Sequence, residues 1–221
     1  MALLGLLVLA LLVLVWLPRA AHRAFRTGRY GRAAAIYRIL GLVRLGRGTR
    51  ASIRVSLAAC ALGADDYDRA LAILDRLHPE ELSDAVRAAW LNNRAYALAR
   101  GGRDVRAALE ASDAAIALRP DVAGFRHTRG IALRELGRVD EAIRELDALW
   151  SQLASDERPL LEAERCYDLA LAWRAKGEDE YAADYFDRAR LAAPDSEWAR
   201  LAADELDDHR GVARLARMIE S

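Results

Sequence analysis

The chain has 221 residues, of which 53% are hydrophobic and 30% are charged. This composition excludes a wholly disordered chain, and the length allows one globular domain with an attachment. Only five prolines and fourteen glycines occur, and alanine and leucine dominate the apolar positions, so an all-α fold is favoured over a sheet. The two cysteines, Cys60 and Cys166, are too far apart in sequence to suggest a zinc site or a disulfide framework.

Charge is distributed unevenly along a chain whose net charge is zero. Residues 1–64 contain ten arginines and no acidic residue, and all 33 acidic residues follow from position 65. The net charge is therefore +10 for residues 1–64 and −10 for the rest of the chain. Such a division indicates a specific role for the basic part, at a membrane or on another polyanion.

The first 18 residues predict a transmembrane anchor. Residues 1–17 read MALLGLLVLALLVLVWL without a charge, and Pro18 follows. A helix of that length spans about 25 Å, slightly less than the roughly 30 Å hydrocarbon core of a bilayer. A cleaved signal peptide is the main alternative, but the segment lacks a basic start and a good cleavage site. A buried core helix is the third interpretation.

Five arginines directly follow this segment, and they favour a cytoplasmic position for the rest of the chain. Basic residues beside a membrane span are retained in the cytoplasm and attract anionic lipid head groups. The predicted localisation is a bacterial inner membrane, crossed once, and no nucleic-acid partner is expected. The lipid-facing arginines are Arg19, Arg23, Arg26, Arg29 and Arg32.

Five copies of one pattern follow the anchor. A glycine is followed after about five residues by an alanine, and then by two further core positions at helical spacing. The glycines are Gly28, Gly102, Gly137 and Gly177, with Asp65 in the second copy, and the alanines are Ala33, Ala70, Ala108, Ala142 and Ala182. A recurrence every 34 to 40 residues is typical of stacked helix pairs.

This pattern resembles the tetratricopeptide repeat, a two-helix unit of 34 residues. The resemblance rests on Gly130-x2-Leu133, on Leu169-Ala170-x2-Trp173, on GRVDEA at residues 137–142, and on Pro120 and Pro194 as closing prolines. It implies an α-solenoid of five helix pairs over residues 19–194. Residues 195–221 are expected to form capping helices, one over about 196–206 with Asp195 as its N-cap and a second over about 211–219. The first repeat helix is expected to continue the anchor through a kink at Pro18.

The resemblance also implies where a partner binds, because the first helix of each pair lines the concave face in this family. Asn93 takes the place of an asparagine that often holds the ligand backbone in peptide-binding members. An asparagine can do so because it donates and accepts hydrogen bonds. The expected partner-binding residues are Asn92, Asn93, Tyr96, Arg100, His127, Ile131, Arg134, Tyr167, Leu171 and Arg174.

The sequence contains no motif for phosphate binding, zinc-dependent hydrolysis or a nucleophilic serine. The four histidines are dispersed, and the carboxylates follow the surface periodicity of helices. No enzyme activity, cofactor or metal site is expected. The predicted function is a membrane-anchored scaffold that holds partner proteins at the cytoplasmic face, and the alternative is a periplasmic or secreted interaction module delivered by a signal peptide.

Overall fold

The computed structural model describes residues 12–43, 46–149 and 159–219. Every regular element within these ranges is helical, as the composition predicted. The chain divides into two compact units, Met1–Thr128 and Arg129–Ser221, named here the first and second unit.

Within its described residues, the first unit contains six complete α-helices and the start of a seventh. A π-helical stretch, Leu12–Trp16, leads into α1, and a short 3-10 turn, Pro79–Glu81, precedes α5. The helices are α1 (Leu17–Arg26), α2 (Tyr30–Val43), α3 (Arg47–Leu62), α4 (Tyr67–Leu74), α5 (Asp84–Arg100) and α6 (Val105–Leu118), and α7 (Ala123–Glu135) begins in this unit. Each helix from α1 to α5 packs on the next one described along the chain, and α3 also packs on α5.

In the part of the second unit that the structure describes lie the end of α7 and four further helices. These are α8 (Val139–Asp147), α9 (Pro159–Ala175), α10 (Asp179–Ala192) and α11 (Glu197–Ile219). Within this unit α9 packs on α8, α10 and α11. Residues 150–158, which lie between α8 and α9 in the sequence, are outside the described ranges.

All five predicted turns adopt the same backbone conformation. The φ angles of Gly28, Gly137 and Gly177 lie between 71° and 87°. Gly102 has a φ of 62°, and Asp65 has a φ of 54°. At each turn the next residue donates its N–H to a carbonyl five positions earlier, as in the bond of 2.9 Å from Arg138 to Leu133. This is the Schellman arrangement, which satisfies carbonyl groups left open at a helix end. The predicted repeat register is therefore confirmed at every turn.

The alanines that follow these turns confirm the same register from the packing side. Four of them are fully buried and Ala182 is 3% exposed. A small side chain at such a point lets two helices approach closely. Gly130 extends this principle to the first helix of its pair, because a Cβ added there would lie 2.7 Å from the Leu146 side chain on α8.

The predicted anchor lies mostly outside the described ranges, since residues 1–11 are not described. From Leu12 to Arg26 the backbone is helical without a break, with the change from π to α geometry next to Pro18. In the part of the chain that is described, no helix has the length and apolar character needed to cross a bilayer.

The carboxyl-terminal end differs from the sequence prediction in two respects. Instead of two capping helices, a single helix runs over Glu197–Ile219. The predicted N-cap Asp195 is also wrong, because the Oγ of Ser196 accepts the N–H of Ala199 at 3.1 Å. The helix continues through Gly211 because a glycine lowers helix stability by only about 1 kcal/mol and does not by itself end a helix.

Candidate functional site

The partly buried face of α5 is the clearest candidate surface in the first unit. The helix begins with Asp84 and ends with Arg100, which places an acid at the positive end of the helix dipole and a base at the negative end. Asn92, Tyr96 and Arg100 are four residues apart, so their side chains form one stripe along the helix. All three are partly exposed.

A contact within this stripe orients its side chains, which remain partly exposed. The Arg100 guanidinium carbon lies 5.6 Å from the centroid of the Tyr96 ring, a distance at which the cation is attracted to the aromatic face. The Oδ1 atom of Asn92 is buried and accepts no hydrogen bond from the described residues. A buried acceptor without a donor is costly, so an N–H that reached this atom would relieve that cost.

Asn93 does not point into an open groove as the resemblance implied. It is only 9% exposed, and its Nδ2 donates to the Val55 carbonyl on α3 at 3.1 Å. The residue therefore joins the first helices of two successive pairs. The sequence argument failed here because it considered only the packing of α5 on α6, its partner in the pair. The helix α5 also packs on α3, and α3 covers Asn93.

A polar residue occupies the corresponding position in four of the first helices. It lies two residues before the small residue at the helix crossing, and three of its four occurrences are buried. The four residues are Ser56, Asn93, Thr128 and Asp168. Aligning the four helices by their small residues would have revealed this position from the sequence alone, and would have assigned Asn93 to helix packing.

Two candidate residues on α7 are also inaccessible. His127 is 2% exposed and Ile131 is fully buried. Arg134 is partly exposed, but its Nη2 lies 2.7 Å from a Glu135 carboxylate oxygen and 3.7 Å from one of Asp168. The groove assignment is therefore wrong for His127 and Ile131, and Arg134 already has acidic neighbours.

The two polar candidates on α9 contact the carboxyl-terminal helix of the chain itself. Arg174 forms an ion pair with Glu205 of α11, and this hydrogen bond raises the pKa of the Arg174 guanidinium. The Tyr167 hydroxyl lies 3.5 Å from the same carboxylate, and its ring centroid lies 5.6 Å from that of Trp198. Both residues thus hold α11 in place, while Leu171 between them remains partly exposed.

A cleft of about 270 Å³ remains among α9, α10 and α11. Its walls combine apolar side chains with charged ones at the mouth. The lining residues are Arg174, Asp179, Ala182, Ala183, Phe186, Glu205, Leu206 and Asp208. Three carboxylates face one guanidinium that Glu205 already pairs, so the charge of this cleft favours a basic group over an acidic one.

The charged residues that the sequence analysis missed are those buried between helices. Arg165 is 1% exposed and donates to both carboxylate oxygens of Glu162 at 2.8 Å. It also donates to the Leu146 carbonyl near the end of α8 at 3.1 Å. No local pattern marks Arg165 as buried, because arginine is common throughout this sequence.

The five arginines predicted to face lipid are all exposed. Three lie on α1, and the other two lie at the turn and at the start of α2. Their neighbours within residues 1–64 include no acidic side chain. Their positive field therefore extends into solvent, where it can act on an anionic surface.

The fold resembles three solved structures at low sequence identity: TPR-like repeats of a putative kinesin light chain from Podospora anserina, the TPR protein YrrB, described as having an unusual peptide-binding site, and MamA. The kinesin light chain repeats are 19% identical, the match covers 79% of this chain and 92% of theirs, and the TM-score is 0.49. YrrB is 18% identical over 83% of this chain and 88% of its own, with a TM-score of 0.49. MamA is 17% identical over 82% of this chain and 92% of its own, with a TM-score of 0.46. No curated protein sequence matches the chain.

A family profile gives the stronger result. The profile described as "T7SS, ESX-1 secretion system protein EccA1, N-terminal domain" matches residues 34–209. This range includes every helix pair after the first and most of α2. The chain therefore belongs to the family of the EccA1 N-terminal domain, and its helix pairs are of the tetratricopeptide type.

Proposed function

We propose that this protein is a membrane-attached scaffold that binds a segment of another protein along the exposed face of α5. A repeat fold of this type suggests a protein-interaction scaffold, and the finer assignment rests on one observation. The buried Oδ1 of Asn92 has no donor among the described residues, and the Tyr96–Arg100 pair continues the same stripe. An extended peptide supplies backbone N–H groups that such an acceptor can bind.

The chemistry of this stripe defines the partner segment. Asn92 accepts an N–H, Tyr96 offers an aromatic surface, and Arg100 adds a positive charge. Tyrosine and arginine are the residue types that most often dominate binding energy at protein interfaces. A peptide with an acidic side chain placed to meet Arg100 fits this arrangement best.

The family assignment supports a biological setting for the partner. The matching family is named for an ESX-1 secretion system protein. We infer that the partner is a protein of a secretion system of this kind, and that the repeat domain acts by holding it, without catalysing a reaction.

Co-purification tests the binding face directly. Asn92→Ala and Arg100→Gln are expected to reduce recovery of the partner from membranes solubilised in mild detergent, while circular dichroism and melting temperature stay near wild type. A lost hydrogen bond to a buried group costs about 1–3 kcal/mol, equivalent to roughly a 5- to 150-fold loss of affinity. Arg106→Gln, at an exposed position on the second helix of the same pair, is the matched control. Full recovery with both α5 variants would place the partner on another surface.

The proposed location is the cytoplasmic face of a bacterial inner membrane, with residues 1–18 as the anchor. The run of arginines after the apolar segment supports this orientation. Protease added to intact spheroplasts is expected to spare the domain and to degrade it after lysis. Digestion in intact spheroplasts, together with a mature amino terminus that lacks the apolar segment, would instead establish the periplasmic or secreted alternative.

A further inference from the structure

The open end of the first helix pair exposes a group of large apolar side chains, named here the apolar rim. On α2, Ile39, Leu42 and Val43 are 50%, 79% and 49% exposed. Their spacing places them on one face of the helix. On the stretch that leads into α1, Leu14 and Trp16 are 59% and 63% exposed.

The hairpin geometry brings these two groups to the same end. The helices α1 and α2 pack on each other through a small core that includes Ala24 and Ala33, and the Phe25 and Tyr30 rings meet across their turn. Trp16 precedes Gly28 by as many residues as Leu40 follows it. In an antiparallel helix pair, residues equally far from the turn lie at the same level.

Exposed arginines lie on α2 next to the apolar rim and on α3, which packs against α2. Arg38 lies next to Ile39, and Arg47, Arg50 and Arg54 recur every three to four residues on α3, where each is exposed. A Cβ at Gly41 of α2 would lie 3.7 Å from Ile53 of α3, so this part of α3 lies against the end of α2. Residues 1–64 include no acidic side chain that could neutralise these charges locally.

We propose that the apolar rim and its arginines form a second membrane contact, which rests on the surface of a bilayer that contains anionic lipid. The inference rests on the proposed membrane attachment and extends it from the amino-terminal segment to the folded domain. Aromatic and aliphatic side chains enter the interfacial region, while arginines above them bind lipid phosphates. The open end of the first helix pair is thereby held against the membrane.

Charge selects the bilayer over a second copy of the chain. Two copies meeting at this surface would bring two sets of arginines together without an acidic residue from this region of either copy, and like charges across an interface oppose association. An anionic bilayer supplies both the apolar layer and the negative charge. It is also continuous with the apolar segment that ends at Leu17.

A single spin label on the full chain tests this contact. Leu42→Cys places the label on the rim, and Ala114→Cys, at an exposed position on α6, is the control. The native thiols do not compete for the reagent, because Cys60 and Cys166 are buried. The chain is reconstituted in phosphatidylcholine vesicles with or without roughly one third phosphatidylglycerol, and the accessibility of the label to oxygen and to a water-soluble nickel complex is measured.

The expected result is a loss of nickel accessibility and a gain of oxygen accessibility at Leu42→Cys, with the anionic vesicles only. The control label is expected to stay accessible to nickel in both vesicle types. Changing Arg47, Arg50 and Arg54 together to glutamine should restore nickel accessibility at position 42 while the chain still floats with the vesicles.

Three outcomes would overturn the proposal. If the chain floats with anionic vesicles but the label at position 42 stays accessible to nickel, the second contact is wrong and the anchor stands. If the chain does not float at all, both the second membrane contact and the anchor are wrong. If protection appears without vesicles and rises with protein concentration, the rim is an interface between protein molecules. None of these readings depends on partner recovery through α5.

Discussion

The two units use the same turns but join their helices by different polar contacts. In the first unit, neutral groups make the more buried bonds between helices: Asn93 donates to the Val55 carbonyl, and the Trp90 indole donates to the Leu74 carbonyl at 3.0 Å. Its ion pairs of Arg94 with Asp75 and of Arg103 with Asp68 lie at the surface. In the second unit, charged groups do so. Arg165 of α9 donates to the Leu146 carbonyl of α8, and Arg174 of α9 pairs with Glu205 of α11.

This difference shows which parts of the repeat tolerate change. The Schellman turns recur in both units because their bonds lie within six consecutive residues. The contacts between helices differ because each side chain meets residues far along the chain. The second unit accordingly depends on buried charge, whereas the first unit has no acidic residue in its first 64 positions with which to form ion pairs locally.

The largest expected effect is at Arg165. Arg165→Leu leaves the Glu162 carboxylate and the Leu146 carbonyl without their donor, and breaking a buried pair in this way typically costs about 3–5 kcal/mol. Urea unfolding of the full chain in mild detergent, followed by circular dichroism, measures the loss. Arg188→Leu removes an ion pair with Asp184 in which both side chains are more than half exposed, and should cost at most about 1 kcal/mol. Equal losses would show that the second unit does not depend on buried charge.

A neutral contact in the first unit should matter less. Asn93→Ala removes the bond to Val55 and leaves a carbonyl unsatisfied, which typically costs about 1–3 kcal/mol. Asn92→Ala removes no hydrogen bond seen among the described residues and should change stability by only about 0.5 kcal/mol. The same unfolding measurement compares the adjacent residues. If Asn92→Ala is the more destabilising variant, the assignment of Asn93 to packing and Asn92 to binding must be reversed.

Two glycines on α7 offer the same substitution in different surroundings. A Cβ at Gly130 would meet the fully buried Leu146 side chain at 2.7 Å, whereas a Cβ at Gly124 would meet nothing within 4 Å. Gly130→Ala should therefore be less stable than Gly124→Ala by about 1–3 kcal/mol. Thermal unfolding of both variants measures this difference. Similar stabilities would mean that α7 and α8 can separate without loss.

The shared turns predict equal effects in the two units. Gly102 and Gly137 both have positive φ, and a Cβ at either would meet nothing within 4 Å. Replacement by alanine should therefore cost only the backbone strain of a left-handed conformation, about 1–2 kcal/mol, at both positions. Gly31→Ala, within α2 and in open space, should instead be neutral or stabilising. Clearly unequal losses at the two turns would contradict a common turn geometry.

The smallest effect concerns the two thiols, one in each unit. Burial raises the pKa of Cys60 to about 11 and that of Cys166 to about 12. Neither should react with a maleimide in the native chain near neutral pH, and both should react after unfolding. The pKa of each thiol is higher in the folded chain than in the unfolded chain, so each thiol contributes to the free energy of unfolding. That contribution is complete below the pKa of the unfolded thiol and is lost as the pH rises towards 11 for Cys60 and 12 for Cys166. Mass spectrometry of labelled peptides would identify either site that reacts early.

The sequence by itself determined the all-α class, the five turns and the register of the helix pairs. These features are readable because they depend on local requirements: glycine, or in one case Asp65, for a left-handed residue, and alanine where two helices cross. The sharp boundary in charge at position 65 was also visible without a structure.

Tertiary structure decided which of the candidate residues remain accessible. Asn93, His127, Ile131 and Tyr167 satisfied the sequence pattern of a groove, and stacking buried them all. Only the packing shows that Arg174 forms an ion pair with Glu205 of α11 and that Arg165 lies in the core. The physical reason is that a helix has several faces with similar composition in an alanine-rich chain, and the neighbours that cover each face come from distant parts of the sequence.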